Sequence, residues 1–131
     1  MIAGVADTHI LIWYLTGSPR LSVTAQRFIS AAAQRGESIG LAAITFVELV
    51  YLIEKGRIPA ETLSRTAHIL EVQTFVEIPL TLAISRTLSK VDVVKIPDMS
   101  DRIIAATALH LNLPLISRDG RIRLAGLQII W

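Results

Sequence analysis

Five acidic side chains, Asp7, Glu48, Asp98, Asp101 and Asp119, stand where apolar segments begin, end or are interrupted, and they are the residues most able to do chemistry. Asp98 and Asp101 precede the run Ile103 to Leu111, and Asp119 follows the run Leu113 to Ser117. Short oxygen-bearing side chains accept hydrogen bonds from the unpaired N–H groups of a helix start, so capping accounts for one of the first two. Asp7 before Thr8 can cap in the same way, and Asp119 before Gly120 can turn the chain. Glu48 is harder to explain locally. It is the sole charged residue between Ile39 and Ile53, and a carboxylate buried without a partner is costly. If these groups meet, they repel one another, and without a cation some take up protons. Mg²⁺ or Mn²⁺, hard ions that prefer carboxylate and water ligands, would relieve the repulsion. The chemistry that such a centre supports is phosphodiester hydrolysis, by activating water and polarising phosphate.

The elements needed to gather the acids are legible in the hydrophobic pattern. Ile2 to Ala6 reads as a buried strand ending at Asp7, followed by a short helix broken at Gly17-Ser18-Pro19. Ser22 caps a second helix to about Gln34, stopped by Gly36. Ser38 to Ala43 reads as a second strand, and Thr45 as the cap of a helix through about Lys55 that carries Glu48. A helix from about Ala60 to Gln73, a strand Phe75 to Ile78 and a helix Leu80 to about Val91 follow. The helix Ser100 to Leu111 and strands Leu113 to Ser117 and Leu127 to Ile130 complete the chain. Short apolar strands alternating with longer helices predict one α/β domain, residues 1–131, with a parallel sheet. In such a sheet, functional groups gather beyond the carboxyl ends of the strands where strand order reverses. Asp7 and Asp119 meet there if the first and fourth strands are neighbours; Asp101 and Glu48 then approach on helix starts, with Asp98 at the rim.

Composition limits the alternatives. The 131 residues are 52% hydrophobic and 18% charged, with a mean hydropathy of +0.54, which predicts a sheet covered on both faces and a surface covered by a second copy. Helices between Ala43 and Gln73 are the expected dimer surface. Cysteine is absent, which excludes disulfides and thiolate metal sites and fits a cytoplasmic location. No basic leader precedes the first apolar run, and no run reaches the roughly 20 residues that span a bilayer. The net charge is +2 with an isoelectric point near 9.4. Arg118, Arg121 and Arg123 cluster about Asp119, while Lys90 and Lys95 precede Asp98, a basic rim suited to a polyanion. Thr8, Arg102, Ser117 and Arg118 are the candidates for substrate contact, with Ser117 also able simply to end a strand. His9, His68 and His110 lack metal-ligand spacing, although His9 beside Asp7 can reach substrate. Nucleotide-binding glycine loops and a serine nucleophile elbow are missing.

Taken in order, VADTHILIWYL, RLSVTAQRFI, FVEL, GRI, PDMSDRIIAATAL, LPLISRDGRI and the terminal IIW make the chain resemble the PIN-domain family, and within it the VapC-like toxins. The resemblance implies a three-layer α/β/α fold with strand order 3-2-1-4-5 and Mg²⁺- or Mn²⁺-dependent ribonuclease activity on an RNA substrate. It also implies a homodimer and a partner antitoxin that inserts a segment near the active site. Carried over by motif, Asp7, Glu48, Asp101 and Asp119 match the family's acidic quartet, which would bind metal and catalyse, and Asp98 matches an additional acidic position. One departure is Ala43-Ile44-Thr45-Phe46, where a serine-rich, tryptophan-bearing stretch is common. The competing functions are a PIN nuclease of RNA processing without an antitoxin, and a non-catalytic module holding RNA or protein.

Overall fold

The structure is a computed structural model and describes residues 1–121 and 126–131. It begins with β1 (Ile2–Ala6), α1 (Thr8–Thr16), α2 (Val23–Gln34), β2 (Ser38–Ala42) and α3 (Ile44–Glu54). It continues with α4 (Glu61–Glu71), β3 (Phe75–Ile78), α5 (Leu82–Thr87), a 3-10 turn (Leu88–Lys90), α6 (Met99–Leu111), β4 (Leu115–Ile116) and β5 (Ile129–Ile130). All strand pairs are parallel, in the order β3-β2-β1-β4-β5.

Successive strand residues face opposite sides of a sheet, and here both sides are apolar. Val5, Ala42, Ile78 and Leu115 join one buried cluster with Ile84 of α5 and Ile104 of α6. Ala6, Leu41, Phe75 and Ile116 join the other, with Leu11 of α1 and Ile29 of α2. Helices therefore cover both faces, giving three layers, and the high apolar content is spent largely on these two cores. Among the described residues no helix is long and apolar enough to cross a membrane.

Strand order reverses between β1 and β4, and this single topological fact locates the site. The ladder bonds continue past the strand ends: Asp7 donates its N–H to the Ile116 carbonyl at 3.1 Å, which holds the two following loops together.

Three expectations from the pattern need correction. Thr45 does not cap α3; the helix begins two residues earlier than that cap implies, after Ala43, whose backbone is already right-handed helical and makes no side-chain cap. Thr45 is instead fully buried in the first turn. The helix expected from Leu80 to Val91 is divided into α5 and the 3-10 turn. Arg102 Nη2 donates to the carbonyls of Leu88 (3.0 Å) and Val91 (3.1 Å), which competes with continued helix there. The fourth strand is confined to Leu115–Ile116, following Pro114, which has no N–H to give to a ladder.

Gly40 shows how tightly the sheet is covered. A Cβ built there would collide with the Ile78 side chain and lie 3.3 Å from Ile2 Cγ2. Gly40→Ala is accordingly expected to cost about 1–3 kcal/mol through overpacking, seen as a lower urea midpoint, with Ile78→Val in the same chain recovering part. An unchanged midpoint for Gly40→Ala would show that this face is loosely packed.

Candidate active site

Beyond the carboxyl ends of β1 and β4 lies an open cleft of about 530 Å³, lined on its acidic side by Asp7, Asp101 and Asp119. Arg20, Arg118 and Arg121 line it too, as do the rings of His9 and Trp13. Three of the four expected quartet members thus share one cleft.

Asp7 is placed by two roles at once. It is the N-cap of α1, its Oδ1 accepting from Ile10 N–H at 3.0 Å, and the Ser117 hydroxyl stands near enough to favour its charged form. Burial raises its pKa, opposed by Ser117, Ile10 and the nearby His9; Asp119 adds to the rise. Ser117 is fully buried after β4, and its Oγ also accepts from Asp119 N–H at 3.0 Å. It therefore ties the first carboxylate to the loop bearing the last, and acts as a positioning group rather than an exposed contact.

Glu48 does not line the cleft but stands behind it on α3. The Thr8 hydroxyl donates to its Oε1, and Thr45 Oγ1 lies 3.3 Å from Thr8 Oγ1. Thr8 and Thr45 are buried, and Thr8 has one proton to give. A relay in which Thr45 donates to Thr8 and Thr8 to Glu48 satisfies all three groups. Burial raises the Glu48 pKa, Thr8 lowers it, and Asp98 and Asp7 raise it.

Asp98 is the N-cap of α6, accepting from Asp101 N–H at 3.0 Å, as its sequence position predicts. Asp101, half-buried in the first turn, has its carboxyl pushed up to about 6 by burial first and then by Asp98, Glu48, Asp7 and Asp119. All four other acids act on this one group, so the carboxylates converge electrostatically although they are scattered through the sequence.

Asp119 differs. Arg121 grips it through Nε to Oδ1 at 3.1 Å, Nη2 to Oδ2 at 2.9 Å and its own N–H to Oδ1 at 3.0 Å. These bonds hold the Asp119 carboxyl below the usual range. Arg102 stands apart from the cleft lining, its guanidinium engaged with the Leu88 and Val91 carbonyls, so the structure gives it a tethering position. Lys90 and Lys95 are exposed but do not line the cleft, and Arg123 lies outside the described residues.

The donors facing the cleft are hard oxygens, which fits Mg²⁺ or Mn²⁺ and does not fit softer ions that favour sulfur. Among the described residues no three acidic or histidine side chains are drawn together as a ready-made ion cage, and Asp119 is occupied by Arg121. An ion would have to draw the carboxylates inward and displace that guanidinium.

Sequence reasoning missed Trp13 and Arg20 as cleft residues. Trp13 follows His9 by four positions, which places both on one face of α1, but its apolar character reads as core. Arg20 follows the Gly17-Ser18-Pro19 break, and nothing local signals that it reaches the cleft.

The PIN domain family matches residues 5–126 of the chain. Ribonuclease VapC22 of Mycobacterium tuberculosis is 29% identical over 126 residues, covering 94% of this chain and 92% of that one. Among solved structures, VapBC2 from Rickettsia felis, bound to a DNA fragment from its promoter, superposes with a TM-score of 0.75 at 16% identity, covering 98% of this chain and 97% of that one. A toxin-antitoxin complex from Klebsiella pneumoniae gives a TM-score of 0.63 at 20% identity, covering 98% and 96%. The family match spans nearly the whole chain and the fold agrees with it, and the chain belongs to the PIN domain family.

Proposed function

We propose that this chain, as a single domain of residues 1–131, is a Mg²⁺- or Mn²⁺-dependent endoribonuclease and the toxin of a cytoplasmic toxin–antitoxin pair. The observation that carries the reading is that Asp7, Asp101 and Asp119, from three separate segments, share one arginine-rimmed cleft, with Glu48 held by Thr8 next to Asp7. A binding module gains nothing from assembling carboxylates where phosphates must approach. A hydrolase does, because a cation held there turns the repulsion into catalysis. The likeness to a protein named a ribonuclease supports the activity, and the likeness to a toxin–antitoxin complex supports the partner.

In this reading Asp7, Asp101 and Asp119 hold the cation, with Glu48 supporting from α3. The bound ion supplies Lewis-acid activation of the phosphate and of the attacking water. The chain's own residues do the rest. Ser117 and the Ile10 N–H fix the Asp7 carboxylate, and Thr8 fixes Glu48. Arg118 and Arg20 attract the RNA backbone to the cleft. Arg121, exposed and paired with Asp119, would be free to pair with a phosphate instead were Asp119 to hold the ion.

RNA cleavage should require Mg²⁺ or Mn²⁺, cease in EDTA, and fall by roughly 100- to 1,000-fold in Asp7→Asn and Asp101→Asn, the scale of several kcal/mol of lost transition-state stabilisation. Cleavage by the purified chain at equal rates in wild type and both variants would refute the assignment.

We further place a homodimer surface on α3 and α4. Val47, Val50 and Tyr51 are exposed along α3, and Leu63 on α4 and Val72 just after it are also exposed, so an apolar face is left uncovered. Light scattering at micromolar concentration should give twice the 14.4 kDa chain mass, and Val47→Lys with Tyr51→Lys should give the monomer. A monomeric wild type would remove this surface from the account.

A further inference from the structure

Asp7, Asp101 and Asp119 share the cleft with two aromatic rings. His9 and Trp13 line it, their ring centroids 5.8 Å apart at an interplanar angle of 47°. Trp131 stands against Trp13 at 6.0 Å and 53°. Trp13 packs on the buried cluster around Ile10 and Leu11 and is half-buried, so its ring is held in place while still opening on the cleft. His9 is exposed one helical turn nearer Asp7. Arg20 and Arg118 line the same space.

We propose that the His9–Trp13 wall is a stacking platform for an unpaired RNA base, placed so that the phosphate beside that base enters the acidic centre. The subsite rests on the nuclease reading for what happens after binding, and on its own geometry for the binding itself. A base presents a π-face whatever its identity, so fixed aromatic rings bind single strands with little regard to sequence. In a duplex the same faces are already stacked, and sequence-tolerant aromatic sites therefore select unpaired nucleotides. Cationic side chains on the same cleft supply the backbone contacts that such sites use. An arginine-bearing peptide could also lie on a tryptophan face. Of the cleft's carboxylates Asp119 is already taken by Arg121, and Arg20 and Arg118 line the same space, which favours a phosphate-bearing strand over a further guanidinium.

The test measures binding in EDTA, where cleavage is off. Affinities come from the anisotropy of a labelled six-nucleotide single-stranded RNA, an abasic strand of the same length and a duplex of the same sequence. Quenching of Trp13 is followed in a Trp131→Phe chain, where it is the remaining tryptophan. The RNA strand should quench Trp13 and bind at least about tenfold more tightly than the abasic strand or the duplex, the scale of one stacked base. Trp13→Ala should weaken it by about ten- to a hundredfold and Trp13→Phe should restore most of the loss. His9 is exposed, so His9→Ala leaves folding intact and should weaken binding severalfold. Equal binding of the abasic strand, equal binding of the duplex, indifference to both residues, or quenching by an arginine-rich peptide but not by RNA would each overturn the platform. A chain that binds in the expected way but fails to cleave with Mg²⁺ loses the nuclease reading and keeps the platform. One that cleaves while its binding ignores Trp13 and His9 keeps the nuclease and loses the platform.

Discussion

Repulsion between like charges in a half-buried cleft is the constraint around which this molecule is arranged. The doubly wound sheet creates it: reversal of strand order between β1 and β4 leaves a crevice into which Asp7 and Asp119 enter from loops and Asp101 from a helix start. Three of the acids are individually compensated. Asp7 accepts from Ile10 with the Ser117 hydroxyl close by, Glu48 from Thr8, and Asp119 from Arg121. Asp101 is not. Among the described residues no hydrogen bond supports its carboxylate, and it takes the combined effect of burial and all four other acids. It is therefore the carboxyl on which burial and the other acids bear most heavily.

The compensations have consequences for motion. The Asp7–Ser117 and Glu48–Thr8 contacts are built from buried partners at the ends of β4 and β1, so those two carboxylates are pre-positioned by the sheet. The Asp119–Arg121 pair lies in an exposed loop, where an ion pair is worth little and exchanges easily. The cleft thus combines a rigid half, set by the strands, with an adjustable half.

Local chemistry made much of this legible in advance. The strand Ile2 to Ala6 and the Ser22 cap of α2 stand where the pattern places them, because an apolar run of strand length and a serine ahead of a helical stripe each have one inexpensive conformation. Asp98 caps α6 for the same reason. Thr45 misled because a threonine ahead of an apolar helix looks like a cap, whereas the tertiary contact with Thr8 fixes it inside the first turn. Arg102 looked like a substrate contact from its position beside Asp101; its length lets it reach back to two carbonyls fourteen and eleven residues upstream. Trp13 in the cleft lining is not legible from spacing, because its apolar ring reads as core, whereas the grip of Arg121 on Asp119 is a contact two residues apart within the basic cluster that the sequence already displays.

The central claim is that the acids act on one another as a set. The most direct measurement is a carbon-13 NMR titration of the Asp101 carboxyl, first in the metal-free chain and then with saturating Mg²⁺. The account predicts a titration near pH 6 without the ion, so that Asp101 is largely protonated below that pH and ionised above it. With Mg²⁺ the midpoint should move well below its ordinary value of 3.8, because an ion favours the charged form. A midpoint close to 3.8 in both conditions would contradict it, showing that Asp101 neither feels the other carboxylates nor meets the cation.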